Sequence, residues 1–175
     1  LRSNTARPLV LPVVALAHLG LTAATLAGGG GAGSGWIVLD PPGRIVLLLV
    51  SILFAVCSVY AVGYLRLRVD RPNRVFCGCL LACLGMMSLI TWSHHLALMW
   101  VAVEATTLSS APLLYFARTG RSLEATWKYM LVGSVGIALA LLGSLFLGYA
   151  ALAGGQESSL VFDDLVRNAP GFSKP

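Results

Sequence analysis

The chain has 175 residues, of which 57% are hydrophobic and 11% charged, with a formal net charge of +5 and a mean hydropathy of +0.83. That composition excludes a soluble globular domain and an intrinsically disordered chain, which needs low hydrophobicity and high charge. Nineteen glycines and eight prolines fall mainly in the breaks between apolar stretches and lack the period of a collagen repeat.

A helix needs roughly 20 apolar residues to cross the hydrocarbon core. The long apolar windows give five spans in chain order, at 8–28, 45–65, 75–93, 96–117 and 125–153. No window has the period-two alternation of a membrane barrel. The expected fold class is therefore an all-α membrane protein, a five-helix fragment followed by a tail over 154–175. A chain beginning with Leu1 rather than methionine is expected to be processed or a piece of a longer protein. A secretory signal peptide fits poorly, because apolar sequence runs on past residue 28 and further spans follow.

Arg2 and Arg7 precede the first span, and His18 lies midway along it. The Gly, Ala and Ser run over 28–35 reads as a flexible loop, Trp36 marks the membrane interface, and Asp40-Pro41-Pro42-Gly43 starts the next helix. Arg66, Arg68, Arg71 and Arg74 fill the loop after the second span. Cys77-x-Cys79-xxx-Cys83 lies inside the third. That is not a zinc or iron–sulfur spacing, so these cysteines and Cys57 read as small packing residues and no metal is expected. His94 and His95 form the tight turn into the fourth span, and Arg118 and Arg121 precede the fifth. Gly136, Ala140, Ser144 and Gly148 recur every four residues in the fifth, a stripe that lets helices approach closely. Gly154-Gly155 stops that helix. The tail from Ser158 to Ala169 has the spacing of a short amphipathic surface helix.

Loops rich in Arg and Lys stay on the cytoplasmic side. Eight arginines fall on one face, at Arg2, Arg7, Arg66, Arg68, Arg71, Arg74, Arg118 and Arg121, against Arg44, Arg167 and Lys174 on the other. The N-terminus is thus expected in the cytoplasm and the tail outside. The positive charge follows from this topology and needs no nucleic-acid partner.

Glu104 lies about eight residues, or roughly 12 Å, from the outer end of its span. A charge at that depth costs about 2.5–3.5 kcal/mol on translocon scales and marks a functional site by default. A structural glutamic acid bonded to a neighbouring helix is the plainer reading. Thr107 shares its helix face, Ser110 and Thr106 follow nearby, and Pro112 can loosen the helix and free a carbonyl for water. Lys128 lies near the start of the fifth span beside Trp127 and Tyr129. It reads equally as a snorkelling lysine and as a proton-relay lysine. His95 and His94 read as a polar turn, with a proton exit as the alternative; His18 reads as a packing residue.

The stretch WVAVEATTLSSAPLLYF, followed by RSLEATWKYMLVGSVGIALALLGSLFL, spans Trp100 to Leu147. It resembles the proton-translocating, antiporter-like membrane subunit of group-4 hydrogenases and formate hydrogenlyase. More broadly, it resembles the equivalent subunits of respiratory complex I and of multisubunit sodium/proton antiporters. Such subunits have about fourteen helices in two inverted five-helix repeats, and against that plan this chain looks like helices two to six. The resemblance implies that Glu104 is the family's fifth-helix proton-accepting glutamate and that Lys128 matches a sixth-helix lysine. The seventh-helix lysine, usual partner of the glutamate, lies beyond the helices covered here.

The function expected is a multi-pass proton-translocating subunit of a redox-driven complex in the inner (plasma) membrane. It would hold no catalytic residue and no cofactor, and would assemble with other membrane subunits and soluble redox subunits. A subunit of a sodium/proton antiporter and a non-transporting membrane scaffold are the alternatives.

Overall fold

A computed structural model describes residues 6–28, 32–68, 73–155 and 159–171. Arg2, Arg71, Lys174, Ser158 and both chain ends lie outside the described residues. Five helices are long and apolar enough to cross a membrane, and the fold is all-α in its spanning part, as the composition predicts.

Helix α1, Val10–Ala27, follows a 3₁₀ turn at Arg7–Leu9. Helix α2 is Pro41–Leu67, with Asp40 Oδ1 accepting the Gly43 amide at 3.0 Å and prolines in its first turn. A Cβ on Gly43 would stand 2.6 Å from Asp40 Oδ1 and 2.8 Å from the Thr91 carbonyl oxygen. Only glycine lets the start of α2 close on the end of α3, Arg74–Trp92.

Helix α4 runs Leu96–Leu114 with Pro112 inside it. It continues two residues past the proline before tightening into the 3₁₀ turn Tyr115–Ala117, closed by Arg118 in a left-handed conformation. Helix α5, Gly120–Ala153, starts ahead of the apolar window because Thr119 and Ser122 cap each other. The Ser122 amide donates to Thr119 Oγ1 at 3.1 Å and the Thr119 amide to Ser122 Oγ at 2.9 Å. At 34 residues it is roughly 51 Å long against a hydrocarbon core of about 30 Å. Its first turns, with Arg121 and Glu124, therefore reach into the interface unless the helix tilts strongly.

The glycine-rich break read as a flexible loop ends in a hairpin. Strand β1, Ala32–Ser34, pairs antiparallel with β2, Ile37–Leu39, in the register Ser34 to Ile37. Gly35 takes φ +65° at the first turn position, as a II′ turn requires. Ile37-Val38-Leu39 favours a strand, a signal that the neighbouring glycines obscure. Residues 29–31 lie outside the described part of the chain.

The hairpin, the 93–96 turn and the start of the tail are stitched by backbone bonds. The His94 amide donates to the Trp36 carbonyl at 2.8 Å, the Leu96 amide to Leu160 at 2.9 Å and the Phe162 amide to His94 at 3.0 Å. Helix α6, Phe162–Asn168, follows. This face is the hairpin end of the bundle. The opposite face, with Arg7, Arg66, Arg68, Arg74, Arg118 and Arg121, is the arginine end.

The helices pack in a row, α1 on α2, α3 on α4 and α4 on α5, with α2 on α3 a lighter contact. One buried cluster joins Leu11, Ala61, Leu65 and Cys77, and a second joins Ala15, Phe54 and Leu84. Elsewhere the surface is apolar. Helix α5 exposes Leu131, Val132, Val135, Leu139, Leu145 and Phe146, which suits acyl chains or further helices and not water. The small-residue stripe splits: Gly148 is buried and Ser144 half-buried against α4, while Gly136 and Ala140 are exposed.

Candidate functional site

Two polar centres interrupt the apolar interior. The first is on the face of α4 that meets α5. Trp100, Glu104 and Thr107 follow one another at helical spacing, so a single stripe carries all three. The Trp100 indole Nε1–H donates to the Ile137 carbonyl at 3.0 Å. Thr107 is buried, with its methyl against Gly133, where a Cβ would come within 3.0 Å of Thr107 Cγ2. Between these two ties, half-buried Glu104 accepts a hydrogen bond from Ser134 Oγ through Oε1 at 3.3 Å. Its second oxygen, Oε2, is buried with no hydrogen-bond partner. A cleft of about 80 Å³, lined by Met99, Trp100, Val103, Ile137 and Ser144 among others, opens on the hairpin side of the indole.

The other residues singled out in the sequence are not gathered at this carboxyl. Ser110 Oγ lies 2.7 Å from the Tyr129 hydroxyl and donates to the Thr107 carbonyl at 2.9 Å, which ties the arginine half of α4 to α5. Lys128 pairs with Glu124 one turn earlier on α5, and both side chains are well exposed. Ser134 is six residues further along, roughly 9 Å at the helical rise. His95 occupies the N-cap position of α4, about 13 Å from Glu104 by the same measure. Its ring lies against Trp36 with centroids 4.4 Å apart. His94 Nε2 sits 3.1 Å from Asp163 Oδ1, within ion-pairing distance when the ring is protonated.

The second centre joins α1, α2 and α3. His18 Nε2 lies 2.8 Å from Ser88 Oγ and Nδ1 lies 2.9 Å from Ser51 Oγ. Thr22 Oγ1 lies 2.9 Å from Ser51 Oγ. Ser51 and Thr22 are buried. His18, a packing residue by its sequence context, has its partners on the two neighbouring helices. Ser51, Ser88 and, at the first centre, Ser134 carry no mark in the sequence that distinguishes them from other serines. The available signal was a hydroxyl in the middle of each apolar span; which helix it faces is a tertiary fact.

The cysteines scatter. Cys77 is buried in the inner cluster, Cys57 is exposed, and Cys83 Sγ lies 3.1 Å from Ser109 Oγ. Among the described residues no three His, Cys, Asp or Glu side chains converge as a metal set.

No family model matches the chain. It is 34% identical over 125 residues to a hydrogenase-4 component F homolog of Methylacidiphilum infernorum, covering 63% of this chain and 26% of that protein. It is 35% identical over 112 residues to NADH-quinone oxidoreductase subunit N of an Azoarcus species, covering 63% and 22%. It is 29% identical over 138 residues to the subunit N of Methylovorus glucosotrophus, covering 78% and 28%. The chain thus spans about a quarter of the length of the curated relatives it matches. Five apolar helices and these matches agree: the homologues of this multi-pass membrane chain are hydrogenase-4 component F and NADH-quinone oxidoreductase subunit N proteins of the complex I antiporter-like family.

Proposed function

We propose that this chain is part of a proton-translocating subunit of a redox-driven, hydrogenase-type or complex I-like assembly in the plasma membrane, with its arginine end in the cytoplasm. Membrane subunits would cover the apolar face of α5, and soluble redox subunits would supply the driving force. The observation that carries the reading is Glu104, half-buried between α4 and α5 with one oxygen on Ser134 and the other without a partner.

A carboxylate in hydrocarbon is costly and a neutral carboxyl much less so. The charge on Glu104 therefore depends on whether a cation or donor comes near Oε2. Protonation and release at that oxygen, timed by the approach of such a group, is the elementary step assigned to it. Trp100 and Thr107 hold the stripe against α5, so the carboxyl stays aimed at the interface through the cycle. Lys128 is given a secondary role, because its ammonium is engaged with Glu124 at the exposed end of α5. Moving each proton outward costs about 2.3 kcal/mol per 100 mV, so the assembly must change the local field in steps.

The test is Glu104→Gln in the intact assembly. Glutamine keeps the shape and the acceptor for Ser134 but carries neither proton nor charge. Proton uptake into vesicles driven by the electron donor should fall at least tenfold with the abundance of the complex unchanged. Uptake at the wild-type rate would refute the role, and loss of assembly would favour a structural glutamic acid.

A further inference from the structure

We propose that His18 is a second proton-holding site, separate from Glu104, that exchanges its proton with the hairpin end of the bundle. The positions of the serine hydroxyl protons set the charge of the ring. Ser88 Oγ donates to the Leu84 carbonyl at 2.8 Å and Ser51 Oγ to the Leu47 carbonyl at 2.7 Å. A hydroxyl has one proton to donate and two lone pairs to accept with. When both protons point at those carbonyls, each ring nitrogen of His18 faces a hydroxyl lone pair, and both must donate. The ring is then an imidazolium with both N–H groups bonded. When the Ser88 hydroxyl turns onto Nε2, that nitrogen becomes an acceptor while Nδ1 still donates to Ser51. The ring is then neutral, again with both nitrogens bonded. The Leu84 carbonyl gives up only a supplementary bond, since it also accepts within α3. One hydroxyl rotation thus separates two charge states that are each satisfied, with no helix displaced.

The surroundings give the site a direction. Toward the arginine end the ring meets the buried apolar cluster of Ala15, Phe54 and Leu84. Toward the hairpin end the same helices carry Thr22 and Thr25 on α1 and Thr91 on α3. Those hydroxyls reach the last turns of α1 and α3, whereas on the opposite side the apolar cluster lies next to the ring and the one buried hydroxyl beyond it on α2, Ser58, is bonded back to the Ala55 carbonyl at 2.7 Å.

The groups that face the ring from the elements packed on it are Ser51 from α2 and Ser88 from α3, with Thr22 of α1 behind Ser51 and bonded to it and to the His18 carbonyl. The charged residues of those helices stand at their ends, Arg44 and Arg66 on α2 and Arg74 on α3. Arg44 is seven residues from Ser51, roughly 10 Å along the axis. Cys57 on α2 and Cys77, Cys79 and Cys83 on α3 are not bonded to the ring; Cys83 is turned to Ser109 of α4.

The experiment reads the ring nitrogens of His18 by solid-state ¹⁵N NMR on the intact assembly in sealed, uniformly oriented lipid vesicles. The difference between wild type and His18→Gln isolates the signal, because glutamine keeps a donor and an acceptor but does not titrate. The expected result is a neutral ring at pH 9 and an imidazolium at pH 5, each with both nitrogens hydrogen-bonded, following the pH set on the hairpin side. Ser88→Ala removes the acceptor that the imidazolium uses at Nε2 and should lower its population at intermediate pH about tenfold, the worth of a bond to a charged group. This second variant retains the ring, so it identifies the signal if His18→Gln does not assemble. A ring that stays one neutral tautomer from pH 5 to pH 9 would overturn the proposal, as would a ring that follows the arginine side. Neither reading requires that Glu104 transport protons.

Discussion

Adding one methyl group at Gly133 is expected to push α4 and α5 apart and disturb Glu104 without touching it. A Cβ built there stands 3.0 Å from Thr107 Cγ2, about half an ångström to one ångström inside the roughly 3.5–4.0 Å of a relaxed carbon contact. Thr107 cannot easily turn aside, because it is β-branched within a helix and its hydroxyl is directed at the Val103 carbonyl at 3.3 Å. Gly133→Ala should therefore cost about 1–3 kcal/mol, the usual range for overpacking. Gly136, on the same helix, is the matched control. A Cβ there meets nothing within 4 Å, so Gly136→Ala should be neutral or gain up to about 0.5–1 kcal/mol through helix propensity.

The assay is reversible unfolding in mixed micelles with rising dodecyl sulfate, followed by circular dichroism. Thr107→Ser deletes the clashing methyl and keeps the hydroxyl, so in the Gly133→Ala background it should recover about 1 kcal/mol as a coupling energy. The 3.3 Å bond from Ser134 to Glu104 is already longer than the roughly 2.5–3.0 Å usual for hydroxyl donors. A separation of a few tenths of an ångström breaks it, and Gly133→Ala should slow proton uptake as well. Equal stability of the two alanine variants, or no coupling with Thr107→Ser, would refute the packing argument.

Trp100→Phe keeps the ring in place but removes the donor to Ile137, and should cost about 1 kcal/mol in the same unfolding assay; an unchanged midpoint would mean the indole bond contributes nothing. Lys128→Met should leave proton uptake close to wild type, because the ammonium is engaged at the exposed end of α5, whereas a severalfold loss would make it a relay residue. Single cysteines placed at 118–120 and at 154–155 in a cysteine-free background should label from opposite sides, the first from the cytoplasm, as the arginine bias requires. Labelling of both from one side would contradict five crossings.

The all-α fold with five long apolar helices was legible because apolar length is a local property. The start of α5 was not, because Arg121 and Glu124 interrupt the hydropathy while Thr119 and Ser122 hold the helix with two side-chain bonds. The hairpin was hidden in the same way, since a count of glycines records flexibility but not the one residue at φ +65° that turns two strands together. Glu104 stood out because a carboxyl in mid-span is expensive wherever it points. Ser134, Ser88 and Ser51 did not, because a serine bonded to its own helix is cheap in a membrane and nothing local marks the residue across the gap. Closeness in sequence sets Ser110 beside Glu104 and His95 one span-end away, but only Thr107 shares its stripe. Helical rotation instead sends Ser110 to Tyr129, and the length of α4 leaves His95 at Trp36.

The two polar centres differ in what a change of charge demands of them. His18 can gain or lose a proton with every ring nitrogen bonded before and after, since a serine hydroxyl rotates to suit. Such a group equilibrates with whichever side it can reach, at whatever pH that side holds. Glu104 has no such freedom: one oxygen rests on a single long bond and the other has none, so its ionised form needs a partner that the described residues do not supply. A site that titrates by itself cannot be driven, because nothing has to move with its proton. A site whose charge depends on an arriving group moves its proton only when that group moves, and the free energy of the approach then sets its occupancy. Under the proposed function the incomplete hydrogen bonding of Glu104 is therefore what ties it to the rest of an assembly. A variant that supplied Oε2 with a permanent internal donor should hold the carboxyl in one state and uncouple it, even though the packing around it improved.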